Sequence, residues 1–233
     1  IVKTIKGANG VVKTETPQAA YYDTSVHKDQ GHRKLEGMVI TFSVLTLLAI
    51  LVGSILEIMP TLSLHKYVKP NNMVSPYTPL ELEGRDIYIK EGCYVCHSQM
   101  IRKMPSDVLR YGAASTIEES MYDRPFQWGS KRTGPDLSRV GGKYPDLWHF
   151  RHMVNPREVI QDSIMPNYKW LLSKEVNYYQ LRKKLSVMKG LGVPYSAEEV
   201  QKADILAQQQ AKEIAAGLKK NGAPDGIDDT EII

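Results

Sequence analysis

Along its hydrophobic pattern the chain changes character twice before a folded region begins. Ile1 to Gln30 mixes polar, small and charged residues with no sustained period, and reads as a tail or linker. Gly37 to Leu56 then runs GMVITFSVLTLLAILVGSIL without a charged residue. A bilayer core about 30 Å thick needs about 20 mostly apolar residues of helix, and this stretch supplies them. Thr41, Ser43, Thr46 and Ser54 make no polar face, so the pattern is not that of an amphipathic surface helix. The run is too long, and too far from the chain start, for the core of a cleaved signal. The pattern predicts a tail over 1–34 and a single uncleaved anchor over 35–59.

Beyond the anchor, Pro60, Pro70, Asn71, Asn72 and Pro76 mark 60–77 as a stalk. Thr78-Pro79-Leu80-Glu81 is a capping box with proline at the first helical position, and predicts a helix ending near Glu91-Gly92. Ser98 to Arg132 is long and irregular, and Tyr122, Phe126 and Trp128 argue that it is packed. A helix is expected from Pro145 to Val154, stopped by Asn155-Pro156. Another is expected from Trp170 to Lys189, with Leu181, Leu185 and Met188 on one face and Gly190 as its cap. Ser196-Ala197-Glu198-Glu199 opens a terminal helix over 196–220 with Val200, Ala203, Ala207, Ile214 and Leu218 inward, closed by Asn221-Gly222. Pro224-Asp225-Gly226 reads as a turn, and strand signals are few.

Composition narrows this only modestly. At 233 residues, 24% charged and 42% hydrophobic, the chain has room for one ordinary domain plus appendages. A net charge of +4 with interspersed signs makes no basic stripe, so no nucleic-acid partner is expected. Ile1 in place of Met predicts a chain that is processed or cut from something longer. Lys28, Arg33 and Lys34 before the anchor, against Lys66 and Lys69 after it, weakly favour a cytoplasmic N-terminal side.

The chemistry concentrates at Cys93-Tyr94-Val95-Cys96-His97. C-x-x-C-H is the attachment motif of c-type haem: two thiols add across the vinyl groups, and the adjacent histidine binds the iron. The chain has two cysteines and both lie here, so neither has a disulfide partner elsewhere. A thioredoxin-like pair would need a βαβ setting, and a zinc site would need further ligands at short spacing. Haem c attachment normally takes place outside the cytoplasm, which puts everything after Glu57 on the periplasmic side. For the sixth iron position, Met100 and Met104 are too close to His97, and Met153 and Met188 fall in helices. Met104, ahead of Pro105, nevertheless remains an open alternative, as do Met121 and a histidine. Met165 lies well downstream, in a loop before Pro166, and is the favoured distal ligand. Metal-bound histidines donate their other ring N–H, and a Gly134-Pro135 turn ahead of Leu137 predicts that the Pro135 carbonyl accepts from His97 Nδ1. Lys131, Arg132, Arg139 and Trp170 are candidates for contacting haem propionates. His149 and His152 share a helix face, and read as surface or packing residues before they read as a metal pair.

With these residues in view, the chain resembles the membrane-anchored mono-haem subunit (subunit II) of cbb(3)-type cytochrome c oxidases. The matching stretches are EGRDIYIKEGCYVCHSQMIR, YDRPFQWGSKRTGPDLSRVGGKY and NPREVIQDSIMPNYKWL, and the likeness covers Lys34 to Gly222. The resemblance implies a mainly α fold: a single N-terminal transmembrane helix plus a class I-like cytochrome c domain over 78–233, with a long insertion after the haem motif. It implies one covalently bound haem c, with Cys93 and Cys96 as anchors and His97 and Met165 on the iron. Gly134 and Pro135 then fall where the family packs its haem edge. The implied role is an electron relay in the bacterial inner membrane. Electrons would come from a dihaem cytochrome c subunit and pass to haem b of the catalytic haem-copper subunit, which reduces O2. Other classes consistent with the motif are a free-standing membrane-anchored cytochrome c and a haem gas-sensing module. Ile1–Gln30 departs from a plain subunit start, and is expected to be a junction to a catalytic subunit fused upstream.

Overall fold

The computed structural model describes residues 3–6, 12–15, 32–69, 74–129 and 131–224. Most of the tail, the Pro70-Asn71-Asn72 part of the stalk and the turn at Asp225-Gly226 lie outside the described residues. The chain divides into two compact units, Ile1–Pro60 and Thr61–Ile233.

In the first unit, the stretch read as a tail or linker carries a short hairpin. Strands β1 (Lys3–Lys6) and β2 (Val12–Glu15) pair antiparallel, with Lys3 opposite Glu15 and Lys6 opposite Val12. The sequence carries a signal for this: Asn9-Gly10 separates two Thr- and Val/Ile-bearing runs, and Asn-Gly is a strong hairpin dipeptide. Helix α1 (His32–Glu36) precedes α2 (Val39–Leu62), which is long and apolar enough to cross a membrane. Its side chains are exposed almost throughout, and none is buried. That inversion is what a lipid-facing helix requires, because no protein core competes for its apolar surface. It starts and ends slightly later than expected, running past Pro60 into its last turn.

The second unit is helical. After the short α3 (Leu64–Tyr67), α4 (Pro79–Lys90) begins at the expected capping box: Glu81 N–H donates to Thr78 Oγ1, and Thr78 N–H to Glu81 Oε2 at 2.8 Å. The long irregular stretch contains one short helix, α5 (Pro105–Tyr111), and a 3₁₀ turn at Ile117–Ser120 with a capping box from Thr116. Helices α6 (Asp146–Val154) and α7 (Pro156–Val159) meet at Asn155, since Pro156 lacks the N–H that would continue α6.

Two expected helices are divided. Trp170–Lys189 becomes a 3₁₀ turn at Lys169–Ser173, an extended connection that buries Val176, and α8 (Tyr178–Gly190). The terminal helix breaks at Lys202 into α9 (Ala197–Gln201), opened by the Ser196–Glu199 capping box, and α10 (Ala203–Lys220).

Helix α10 packs on α8 and α4 and touches α6. Ala203, Ala207, Ala211 and Ala215 recur every four residues on its buried face, letting the helix axes approach closely. Thr78 Oγ1 also donates to Gln210 Oε1 at 2.8 Å, tying the start of α4 to the middle of α10. Leu181 and Leu185 of α8 are fully buried beside Leu82, Met121 and Tyr122 in one core. Leu185→Ala is therefore expected to cost about 2–5 kcal/mol. The check is a lowered thermal unfolding temperature of the detergent-solubilised protein, with Val187→Ala, on the exposed side of α8, as a near-silent control.

Candidate functional site

The end of α4 delivers the cysteine motif. Glu91 caps the helix, and Gly92 turns the chain through a left-handed φ of 73°. Cys93–Val95 then form a 3₁₀ turn whose Cys93 carbonyl accepts from Cys96 N–H at 3.1 Å and from His97 N–H at 2.9 Å. This brings both thiols and the imidazole into one turn. Neither cysteine is in a disulfide, and Cys96 is exposed. Burial pushes the Cys93 thiol up, so it stays protonated at neutral pH.

His97 Nδ1 lies 2.8 Å from the Pro135 carbonyl oxygen. A carbonyl only accepts, so Nδ1 carries the proton and the Nε2 lone pair is left for a metal. The Gly134–Leu137 turn is itself held to the motif: Gly134 N–H donates to the Cys96 carbonyl and Leu137 N–H to that of Ser98, both at 2.9 Å. Gly134 packs so tightly that a Cβ there would collide with the His97 ring. Gly129, at a φ of 65°, is also close: its Cβ would lie 3.1 Å from the His97 carbonyl oxygen.

Around this turn the long insertion makes an ion-pair clamp that the sequence reading did not resolve. Arg132 donates to Ser98 Oγ at 2.7 Å, to Asp107 at 2.6 Å and to the Met100 carbonyl at 2.8 Å. Asp136 accepts from Ser98 Oγ at 2.6 Å, Met100 N–H at 3.0 Å and Ser138 N–H at 2.9 Å. Hydrogen bonds from Arg102 and then Arg132 hold Asp107 well below the usual carboxylate range. Burial pushes Asp136 upward, but the hydrogen bonds from Ser98 and Ser138 outweigh it and its pKa is also lowered. A carboxylate with a depressed folded pKa stabilises the fold above its unfolded value of about 4, and that contribution disappears as pH falls through the folded value. The clamp should hold at neutral pH and open only in acid below about pH 4. Arg132→Met should raise the pH of that acid transition, read from the near-ultraviolet circular dichroism of the Trp128 region; an unmoved transition would count against the clamp.

The distal candidates separate clearly. Met121 and Met188 belong to the core, while Met104 is half-exposed at the start of α5. Met165 sits in the loop after α7, with its N–H 3.3 Å from Ser163 Oγ and its Sδ 3.1 Å from His152 Nε2. Burial, then the charges of His149 and His97, lower the His152 pKa, so His152 and His97 share one electrostatic neighbourhood. An apolar cavity of about 350 Å³ is bounded by α4, α6, α10 and the Lys169–Ser173 turn, with Gly84, Phe150, Met153 and Ile214 among its walls. Tyr168 lines it too, and its phenol is raised by burial and then by the nearby Cys93 and Cys96.

Three of the expected propionate contacts are engaged elsewhere, Arg132 among them through the clamp. Arg139 pairs with Glu119 at 2.7 Å, and the Trp170 indole N–H donates to Glu91 at 3.1 Å. Lys174 reaches the same Glu91 at 2.8 Å, so the Lys169–Ser173 turn is tied to the entry of the cysteine motif.

Residues 32–233 match the family described as cytochrome c oxidase, mono-heme subunit/FixO. The chain belongs to this family. It is thus a mono-haem subunit of a cytochrome c oxidase complex, with one helix among the described residues long and apolar enough to cross a membrane. No curated protein matches it.

A mono-haem subunit must hold one haem, and the residues present fit that group. Two free thiols lie within one turn of an imidazole whose Nε2 lone pair is uncommitted, and a Cβ would fill the space that Gly134 leaves for the ring.

Proposed function

We propose that this chain is the periplasmic haem c relay of a cbb(3)-type oxidase, taking electrons from a dihaem cytochrome c subunit and passing them to haem b of the catalytic subunit. The observation that carries it is the Cys93–His97 turn locked to the Pro135 carbonyl, with Nε2 of His97 left to bind iron. A bound haem supplies a one-electron iron couple. Cys93 and Cys96 would hold it through thioether bonds to its two vinyl groups. His97 would bind the iron through Nε2, with Nδ1–H held by the Pro135 carbonyl. Met165 would supply a thioether to the iron, which would favour electron transfer over binding of O2 or CO. Leu137 would pack against the ring. Arg139 and Trp170 brace the surrounding loops through Glu119 and Glu91 rather than through the propionates.

The organisation that suits this role is a tail over 1–34, an anchor over 35–59, a stalk over 60–77 and the haem domain over 78–233. Exposed Tyr94 and Val95 give the motif an apolar outer edge suited to a partner subunit.

The reading is tested by purifying the chain from bacterial inner membranes and extracting with acid acetone. Haem should remain on the polypeptide in a denaturing gel, and haem b and copper should travel with it before denaturation. Extractable haem would remove the covalent attachment. Purification without haem b or copper would favour a free-standing cytochrome shuttle.

A further inference from the structure

The sequence pattern makes His152 a packing or surface histidine, yet its ring nitrogen approaches the Met165 sulfur. Nε2 lies 3.1 Å from Met165 Sδ. The ring is held in place rather than loosely packed. It stacks on Trp148 with centroids 4.6 Å apart and planes 10° apart. Trp148 in turn stacks on Tyr144 at 4.1 Å and 14°, so the rings of Tyr144, in the turn before α6, and of Trp148 and His152, on α6, form one column. The loop carrying Met165 is fastened to the same helix, since Tyr168 N–H donates to the Met153 carbonyl at 2.8 Å.

The short contact has a definite polarity. Thioether sulfur has lone pairs and no proton, so it can only accept. If Nε2 also presented a lone pair, two electron-rich atoms would face each other. The proton would then sit on Nδ1, which is buried without a hydrogen-bond partner, and an unpaired buried donor is costly. With the proton on Nε2, the sulfur is satisfied and only an acceptor nitrogen is left over.

We infer that His152 is a positioning residue: its Nε2–H donates to Met165 Sδ, occupies one sulfur lone pair and leaves the other to face the iron. This rests on the reading of Met165 as the distal ligand. Two consequences follow. The thioether is fixed in orientation, and its donation to iron is weakened by the hydrogen bond. A weaker donor stabilises the ferric state less, so the bond raises the midpoint potential of the haem.

The test compares His152→Phe with His152→Gln in the purified oxidase complex. Phenylalanine keeps a flat ring on Trp148 but has no donor, whereas the glutamine amide restores one. Two properties are read: the near-infrared thioether-to-ferric-iron charge-transfer band and the midpoint potential of this chain's haem. In the wild type the band is present. In His152→Phe it should shift, and the midpoint should fall. In His152→Gln both should move back toward wild type. If the phenylalanine variant does not assemble, His152→Leu and His152→Gln carry the same comparison. A band and midpoint unchanged in the donor-free variant would overturn the inference while leaving Met165 as ligand. So would equal loss of the band in donor-free and donor-restoring variants, which marks a structural role alone. A wild type that lacks the thioether band and shows a bis-imidazole signature would place His152 itself on the iron, overturning this inference and the Met165 assignment together.

Discussion

Gly134→Ala is expected to abolish stable haem incorporation. The reason is space rather than backbone freedom. The added methyl would occupy volume already taken by the His97 ring, with the nearest contacts at Cε1, Nδ1 and Nε2. Those are ring atoms on a short side chain, and the ring cannot swing aside without losing the 2.8 Å bond from Nδ1 to the Pro135 carbonyl. The turn cannot retreat easily either, because Gly134 N–H is bonded to the Cys96 carbonyl and Leu137 N–H to that of Ser98. Overpacking typically costs about 1–3 kcal/mol. Here the cost falls on the orientation of the ligand, so the loss should appear in the haem before it appears in the fold. The check is the haem-to-protein ratio and spin state of the purified subunit. Gly141→Ala, where an added Cβ meets nothing within 4 Å, is the control and should be near wild type.

Met165→Ala is expected to have the largest effect on electron flow. Without the thioether the iron keeps only His97 from the protein, the midpoint potential falls, and the ferrous haem becomes open to CO. Electron transfer toward haem b should slow by about tenfold or more, equivalent to about 1.4 kcal/mol or more of added barrier. The core methionines give the contrast. Met188→Leu changes a buried side chain in α8 at nearly constant volume, and should leave both spectrum and rate unchanged. A six-coordinate spectrum and unchanged potential in Met165→Ala would exclude Met165 as the ligand.

Much of this was readable from local signals. The anchor, the Thr78 and Ser196 capping boxes and the Asn155-Pro156 stop are all decided within a few residues, and all are present. The contact of His97 with Pro135, although 38 residues long, was accessible because metal-ligand chemistry demands an acceptor and Gly-Pro offers one. What was missed depends on tertiary contacts that no period encodes. The break at Lys202 and the non-helical stretch between Ser173 and Tyr178 fall where Ala203 and Val176 are buried in the core. The Arg132 clamp joins residues from 98 to 136 through charges that look like ordinary surface residues in sequence. His152 carries a signal of its own: Trp148 and His152 are four residues apart on α6, which stacks their rings on one helix face, and Tyr144 from the preceding turn extends the stack.

The central claim is that electrons bound for haem b pass through the haem held by His97 and Met165. The most direct measurement is stopped-flow reduction of haem b in the purified oxidase by its reduced cytochrome donor, in wild type and in Met165→Ala. Wild type should show this chain's haem reduced before haem b, and the variant should show haem b reduction slowed by about tenfold or more. Haem b reduced at the wild-type rate, in a variant whose own haem spectrum is plainly altered, would contradict it.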